Sequence, residues 1–326
     1  MNNLYKKYLV TGGSGFIGTN LIDSLVINGF VILNLDIVKP SNKNQEQYWK
    51  CVDILNYSIL SKEIMDFAPD VIIHLAAVTD LNGETLKYYD ANISGTKNLI
   101  EICSKLTSVK KVIFTSSMYV CKPGFIPADY DTYKPHTVYG ESKVKTETLV
   151  KSIGKSHYDW VIIRPTSIWG PWFNIPYIDF FNVVYRKKYF DFGKACTKTY
   201  GYVGNTVFQI QKLIDAKNVH GKTFYLGDDP AIQITEWANE ISHCMSKGPI
   251  KTIPFPLIKG AAIIGDLLSK LRLKFPITSF RLNNMTTNNI LPLDDLNNVV
   301  GKTPFTRLEG VKSTIKWLQE YKGYKI

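Results

Sequence analysis

Tyr139 and Lys143 stand four residues apart in the segment Tyr-Gly-Glu-Ser-Lys, where the spacing of apolar residues predicts a helix. Residues with this separation share one helix face, so the phenol and the ammonium would be neighbours. A phenol with a pKa of about 10 is a poor base at neutral pH, and a nearby ammonium favours its ionised form. The pair could therefore remove or return the proton of a hydroxyl group. An exposed pair without chemistry is the alternative, because this spacing is common.

A glycine-rich segment, Thr11-Gly12-Gly13-Ser14-Gly15-Phe16-Ile17-Gly18, follows a predicted strand and opens a predicted helix. Without Cβ atoms, its backbone can turn sharply and bring a pyrophosphate to the helix N-terminus. Asp36 ends the next predicted strand, where a carboxylate can bind an adenosine ribose hydroxyl and would repel a 2′-phosphate. The pattern predicts NAD rather than NADP, although Lys39 lies close to Asp36 in the sequence. A structural turn beside a surface aspartate is the alternative.

Short apolar runs alternate with segments of helical periodicity in the first half of the chain. The runs predicted as buried strands are residues 8–11, 31–36, 71–75, 112–116 and 160–164. The predicted helices between them are residues 16–27, 59–67, 92–105 and 138–153. Repeated βαβ units indicate an α/β fold with a Rossmann-type doubly wound parallel sheet. Ligands bind such sheets at the carboxyl ends of the strands, which places Asp36, Ala76–Thr79, Ser116 and Ser117 at one edge with the glycines.

The pattern loosens after Gly170 and Pro171, which predicts a domain change. Residues 1–172 are interpreted as the NAD-binding domain and residues 173–326 mainly as a smaller C-terminal substrate-binding domain. A segment near 199–228, with predicted strands at 200–203 and 223–226, would rejoin the first sheet, and residues 231–326 are expected to form short helices and loops. One apolar stripe there has helical spacing, for which packing in the core or against a second copy is preferred over a membrane surface. It consists of Leu257, Ala261, Ile264, Leu268 and Leu271.

Composition is that of an ordinary globular protein: 326 residues, 45% of them hydrophobic and 21% charged. The net charge of +11 comes from scattered lysines rather than a basic block, so no nucleic-acid partner is predicted, although a basic surface could attract a polyanionic small molecule. Five cysteines without a C-x-x-C motif predict neither disulfides nor a metal site. The N-terminus has no signal-peptide pattern and charges interrupt residues 253–273, so a cytoplasmic protein without a transmembrane segment is expected.

Further motifs follow in order: Asp53-Ile54, His74-Leu75-Ala76-Ala77, Asn92 with Gly95-Thr96 and Asn98, Thr115-Ser116-Ser117, and Arg164-Pro165 with Gly170-Pro171. With the glycine-rich segment, Asp36 and the Tyr139 and Lys143 pair, they cover residues 8–171. This stretch resembles the extended short-chain dehydrogenase/reductase family. That family includes sugar-nucleotide epimerases, dehydratases and reductases, and 3β-hydroxysteroid dehydrogenases.

The resemblance implies a role for each matching residue, with Tyr139 as the acid/base and Ser117 as the hydroxyl that binds the substrate oxygen beside it. The implied catalytic residues are Ser117, Tyr139 and Lys143. The implied NAD-binding residues are Gly12, Gly15, Phe16, Ile17, Gly18, Asp36, Asp53, Ile54, Leu75, Ala76, Ala77, Asn92, Tyr139, Lys143 and Pro165. The implied substrate-binding residues are Thr79, Ser117, Met118, Tyr139, Lys198 and Arg281. His74 is interpreted as a structural residue at a strand end.

Met118 and Tyr119 stand where dehydratases of the family carry an Asp-Glu pair, which argues against a 4,6-dehydratase. The expected function is therefore an NAD-dependent oxidoreductase acting on a nucleotide diphosphate sugar, as a 4-epimerase or as a keto-sugar reductase or dehydrogenase. A dehydrogenase of the 3β-hydroxysteroid type is one alternative, because residues 254–278 resemble that branch. A catalytically silent NAD-binding module is the other. The resemblance also implies a homodimer formed through the helices predicted at 92–105 and 138–153.

Overall fold

The computed structural model describes residues 6–174, 177–270 and 278–326, apart from the side chains of Ser269, Lys270, Phe280, Arg281 and Asn284. Its strands are β1 (Lys7–Thr11), β2 (Val31–Asp36), β3 (Trp49–Cys51), β4 (Val71–His74), β5 (Lys111–Thr115), β6 (Asp159–Pro165), β7 (Ser167–Trp169), β8 (Phe190–Asp191), β9 (Thr197–Lys198), β10 (Tyr200–Tyr202), β11 (Thr223–Leu226), β12 (Ile232–Gln233) and β13 (Lys251–Thr252). Its α-helices are α1 (Phe16–Ile27), α2 (Tyr57–Phe67), α3 (Thr96–Ser104), α4 (Val138–Lys151), α5 (Tyr177–Tyr185), α6 (Val203–Asp215), α7 (Ile234–Cys244), α8 (Phe255–Lys270), α9 (Ser279–Thr286), α10 (Asp294–Val300) and α11 (Arg307–Lys322).

Seven parallel strands form the main sheet in the order β11-β6-β5-β4-β1-β2-β3. The predicted Rossmann-type sheet is therefore confirmed. Since the strands are parallel, their carboxyl ends meet at one edge, and the turns that follow β1, β2, β4 and β5 lie together there. The edge strand β3 was not predicted, because its three half-buried or exposed residues form no apolar run.

Helices cover both faces of this sheet, which explains why its strands are apolar on both sides. On one face α1 and α6 contribute side chains such as Leu21 and Ile210 to a core with Val10 of β1. On the other face α2, α3 and α4 pack Leu60, Leu99 and Val150 against β5 and its neighbours. A third core, built around Trp169, Phe181 and Trp237, forms the second lobe.

The segment predicted to rejoin the sheet does so only in its second half. β11 pairs with β6 at the edge of the main sheet, whereas β10 pairs with β7 outside it. Residues 231–326 contain longer helices than the sequence suggested, including the 16-residue α8 and α11. A signal for α11 was present in the sequence, since Thr306 and Glu309 form a capping box at its start.

The predicted apolar stripe on α8 is not packed in the core of this chain. Leu257 and Ile264 are exposed, while Ile258 and Ala262 of the same helix pack against Leu282 of α9. Core packing is therefore wrong for Leu257 and Ile264, whereas contact with a second copy stays a prediction. Ala261 and Leu268 are half-buried, and Leu271 lies outside the described residues. Within the described ranges, the structure contains no helix long and apolar enough to span a bilayer.

Candidate active site

The glycine-rich turn between β1 and α1 is built so that only glycine fits its key positions. Gly12 has a φ of +71°, and a Cβ there would lie 2.5 Å from the backbone nitrogen of Ala76. A Cβ on Gly18 would lie 2.5 Å from the Cα of Gly13, so Gly18 lets α1 pack onto the turn. The first turn of α1 carries no acidic residue that would compete for an anion. The turn therefore forms a cradle for a pyrophosphate at a helix N-terminus.

Asp36 is fixed at the end of β2 by two backbone N–H groups. Its Oδ2 accepts from Ser14 N at 3.0 Å and its Oδ1 accepts from Val38 N at 2.9 Å. Burial is the main effect on this carboxyl group and raises its pKa above the usual value. Lys39, the cation close enough in sequence to favour a 2′-phosphate, forms an ion pair with Glu46 at 2.8 Å. The arrangement fits a ribose hydroxyl better than a phosphate.

Three residues meet at the carboxyl edge beside this turn. Ser117 lies just after β5, where its Oγ accepts from Tyr119 N at 3.2 Å, and it is close enough to Tyr139, in the first turn of α4, to lower the pKa of that phenol by hydrogen bonding. Lys143, one turn further along α4, donates from Nζ to the Thr115 carbonyl oxygen at 3.0 Å, and its Nζ lies 6.0 Å from the Tyr139 ring centre. All three side chains are nearly buried. Of the two serines after β5, only Ser117 affects the pKa of the phenol.

Burial dominates the ionisation of this pair. It raises the pKa of Tyr139 to about 12, against the lowering effect of the hydrogen bond with Ser117. It lowers the pKa of Lys143 to about 8, against the raising effect of the Glu147 carboxylate. The sequence suggests that the ammonium favours the phenolate, but in the structure burial of the phenol is the largest effect on its pKa.

Asn92 and His74 hold the neighbouring turns in place. Asn92 lies in a π-helical turn, Ala91–Gly95, and its amide accepts from Val78 N and donates to Val78 O and to Ser142 Oγ. His74 lies between the hydroxyls of Thr11 and Thr96, and burial lowers its pKa to about 3. His74 therefore stays neutral, as expected of a structural residue.

The other predicted cofactor residues lie around the same edge. Asp53 and Ile54 follow β3 next to Asp36, and the Ile54 carbonyl accepts from Asn98. The turn after β4 contains Leu75, Ala76 and Ala77, of which Leu75 N donates to Thr11 O. The remaining positions belong to the first turn of α1, Phe16 and Ile17, and to the end of β6, Pro165.

The predicted substrate residues are less closely grouped. Thr79 is exposed in the loop after β4, and Met118 follows Ser117 directly. Lys198 lies in β9, where burial lowers its pKa and where it forms a backbone bridge with Asn289. Asn289 in turn lies beside Met118, with Nδ2 3.9 Å from the sulfur. Arg281 is in α9, and its side chain is outside the described residues.

A group of tyrosines around Tyr139 was not recognised from the sequence as a unit. The rings of Tyr89 and Tyr119 lie 5.8 and 6.1 Å from the Tyr139 ring. Tyr177 is close enough to Tyr119 and Tyr139 to interact electrostatically with both and donates to Ser167. Trp169 and Phe173 are buried in the core of the second lobe.

A buried ion pair behind the site was also missed as a functional feature. The Nε and Nη2 atoms of Arg164 each donate to a different oxygen of Glu147 at 2.8 Å, and both side chains have zero exposure. The same guanidinium donates to the Tyr130 carbonyl, and the Tyr133 hydroxyl donates to Glu147. The pair thus ties α4, β6 and the loop at 130–134 together, one helical turn beyond Lys143.

The family model of the NAD dependent epimerase/dehydratase family matches residues 8–180, and the chain belongs to this family. It is an enzyme of the extended short-chain dehydrogenase/reductase type, in the branch of sugar-nucleotide epimerases and dehydratases, and its cofactor is NAD. The predicted class and cofactor are thereby confirmed. The glycine turn and Asp36 fit that cofactor on the geometry given above.

Two relatives and one solved structure illustrate the similarity. The chain is 26% identical over 317 residues to the N-acetyl-alpha-D-glucosaminyl-diphospho-ditrans,octacis-undecaprenol 4-epimerase of Escherichia coli O157:H7, covering 95% of this chain and 94% of that one. It is 30% identical over 276 residues to the UDP-N-acetyl-alpha-D-glucosaminuronate decarboxylase of Bacillus cytotoxicus, covering 77% and 84%. The UDP-glucuronic acid 4-epimerase of Bacillus cereus, solved with NAD, has the same fold, with a TM-score of 0.76, 20% identity and 98% of each chain covered.

Proposed function

We propose that this protein is an NAD-dependent 4-epimerase of a sugar that is linked through a diphosphate. The observation that carries the proposal is the meeting of Ser117, Tyr139 and Lys143 at the edge that also holds the glycine turn. A single phenol that removes and then returns one proton is what epimerisation needs. Bound NAD supplies the acceptor and donor of the hydride. Similarity to a 4-epimerase along 95% of the chain supports the same reaction.

Each residue of the group has a proposed task. The Ser117 hydroxyl holds the substrate oxygen, and Tyr139 takes the hydroxyl proton while the carbon loses its hydride. Tyr139 returns the proton when the hydride is delivered to the opposite face of the sugar. Met118 and Tyr119 offer no carboxylate for an elimination, so the proposal excludes dehydration.

The proposed cofactor contacts favour NAD over NADP, because the Asp36 carboxylate would be repelled by a 2′-phosphate and Lys39 is paired with Glu46. Calorimetric titration should give tighter binding of NAD than of NADP. Asp36→Ala should weaken binding of NAD and reduce the preference. Tighter binding of NADP by the unmodified protein would contradict this assignment.

The diphosphate of the substrate could be carried by a nucleoside or by a lipid, and the proposed ligands for it are Lys198 and Arg281. The decisive experiment incubates the purified protein with UDP-sugars in one arm and with an undecaprenyl diphosphate sugar in the other, and measures the epimer ratio by NMR. Conversion to the 4-epimer in either arm, without net formation of NADH, is the expected result. Net reduction of NAD, conversion of a sterol alone, or no reaction with any substrate would overturn the proposal.

We also propose a homodimer formed through α3 and α4, in the cytoplasm. Ile100, Val144 and Leu149 on these helices are half-buried, so part of each apolar surface is available to a second copy. Five free cysteines fit a reducing compartment. Light scattering should give twice the 37.0 kDa chain mass, and a monomer at micromolar concentration would contradict the dimer.

A further inference from the structure

The outer face of α8 is a continuous apolar surface. Pro256, Leu257, Gly260, Ile263, Ile264 and Leu267 recur at intervals of one, three and four residues, so they share one side of the helix. The exposed fractions are 66% for Leu257, 52% for Ile263, 55% for Ile264 and 57% for Leu267. Within the described residues, this arc of α8 includes no charged or hydrogen-bonding side chain. A contiguous exposed apolar surface of this kind is typical of an interaction site.

The opposite face of α8 is already committed to the protein. Ile258 and Ala262 are buried against Leu282 of α9, with Phe192 and Phe255 packed alongside. Asp266, at the edge, accepts a hydrogen bond from Ser279 N. The helix is therefore held in a defined orientation, with its apolar arc directed away from the lobe that it packs on.

Lysines border the apolar arc near its N-terminal half. Lys259 is exposed on the helix itself, and Lys251 is exposed in β13, just before the helix. An aliphatic face flanked by lysines matches an anionic bilayer, which has an apolar interior and a negatively charged headgroup surface.

The helix is also linked through α9 to a residue beside the predicted substrate residues. α9, which packs on α8, leads into Asn289, whose Oδ1 accepts from Gly124 N and whose Nδ2 lies beside Met118, the neighbour of Ser117.

We propose that the apolar arc of α8 docks on the surface of an anionic lipid bilayer. At 16 residues the helix is too short to cross the bilayer, and its buried inner face keeps it parallel to the protein surface. A second copy of the chain fits less well, because protein interfaces are rich in aromatic residues, arginine and hydrogen bonds, none of which the arc provides. The docking extends the proposed function, since it favours a lipid as the carrier of the sugar diphosphate.

The test is co-sedimentation of the full chain with phosphatidylcholine vesicles that contain phosphatidylglycerol, compared with phosphatidylcholine alone. The unmodified protein should bind the anionic vesicles and be released in part by salt. The double variant Ile264→Gln and Leu267→Gln should lower the partition coefficient by about tenfold or more, because two large apolar side chains no longer enter the bilayer. Lys251→Glu with Lys259→Glu should abolish the preference for phosphatidylglycerol.

The matched control is Ile27→Gln with Ile59→Gln, which changes two exposed isoleucines in α1 and α2. It should bind vesicles as the unmodified protein does, and thermal melts should show all variants folded. Failure of the unmodified protein to bind, or equal binding by the α8 variant, would overturn the proposal. A dimer that the α8 variant dissociates, without vesicle binding, would assign the arc to a second copy instead. None of these readouts requires epimerase activity, so failure of the proposed reaction would be seen separately.

Discussion

Replacing Glu147 by Gln should destabilise the fold strongly, because it leaves the Arg164 guanidinium buried without a counter-charge. Both side chains have zero exposure, and two charge-assisted hydrogen bonds of 2.8 Å join them. Removing one partner of a buried ion pair costs about 3–5 kcal/mol. The Tyr225 hydroxyl and the Tyr130 carbonyl still contact the guanidinium, so we expect about 3 kcal/mol, the lower end of that range.

Urea unfolding followed by tryptophan fluorescence measures this loss, and the chain supplies a matched control. Glu101 pairs with Lys105 at 2.8 Å, but these side chains are 49% and 51% exposed. Glu101→Gln should therefore change the free energy of unfolding by less than about 1 kcal/mol. Equal effects of Glu147→Gln and Glu101→Gln would refute the reasoning that burial makes the first pair essential.

The same substitution should also change the pH dependence of activity. The Glu147 carboxylate raises the pKa of Lys143, which burial lowers to about 8. Without that charge, Lys143 should lose its proton at a lower pH. The alkaline limb of the pH–activity profile should therefore shift to lower pH. A purely structural role of Glu147 would lower activity at every pH without moving that limb.

Three further outcomes follow from the site. Tyr139→Phe should lower epimerase turnover by about 10²–10⁴-fold, whereas Tyr321→Phe, an exposed change in α11, should leave turnover unchanged; undiminished turnover by Tyr139→Phe would exclude the phenol as acid/base. Activity of the unmodified protein should decline above about pH 8 as Lys143 becomes neutral, and a constant rate up to pH 10 would show that its charge is not needed. Gly12→Ala should abolish NAD binding measured by calorimetry, because φ is +71° and the new Cβ would meet Ala76, while Gly29→Ala, also at positive φ but with open space, should not.

The sheet and its motifs were predictable because each carries a local signal. A run such as Ile72-Ile73 is apolar on both sides only when helices cover both faces of a sheet, and the glycines identify the turn between β1 and α1. The ends of α1 and β2 fall at the predicted residues because local signals of this kind mark them in the sequence. The π-helical turn that delays α3 to Thr96 has no such signal, since it depends on the hydrogen bonds that Asn92 makes to Val78 and Ser142.

The surroundings of Tyr139 could not be derived in the same way. Tyr89, Tyr119 and Tyr177 come from three separate loops or helices, and only the folded chain brings their rings together. The stripe on α8 shows a related limit. Periodicity places Leu257 and Ile264 on one face, but it gives no information on whether that face or the one with Ile258 is turned inward.

The pKa values of Tyr139 and Lys143 also depend on how deeply the two side chains are buried, which the spacing in the sequence does not reveal. On an exposed helix the two would stabilise each other's charges, which is what their spacing suggests. Once both are buried, desolvation penalises each charged form separately and moves the two pKa values in opposite directions, to about 12 and about 8. Lys143 directs its ammonium to the Thr115 carbonyl, which keeps the cation at the cofactor edge rather than on the phenol oxygen. Near neutral pH both Tyr139 and Lys143 therefore hold their protons, so the phenol is ready to donate to a keto oxygen. Removal of the hydroxyl proton, the first step of the proposed epimerisation, requires further stabilisation of the phenolate.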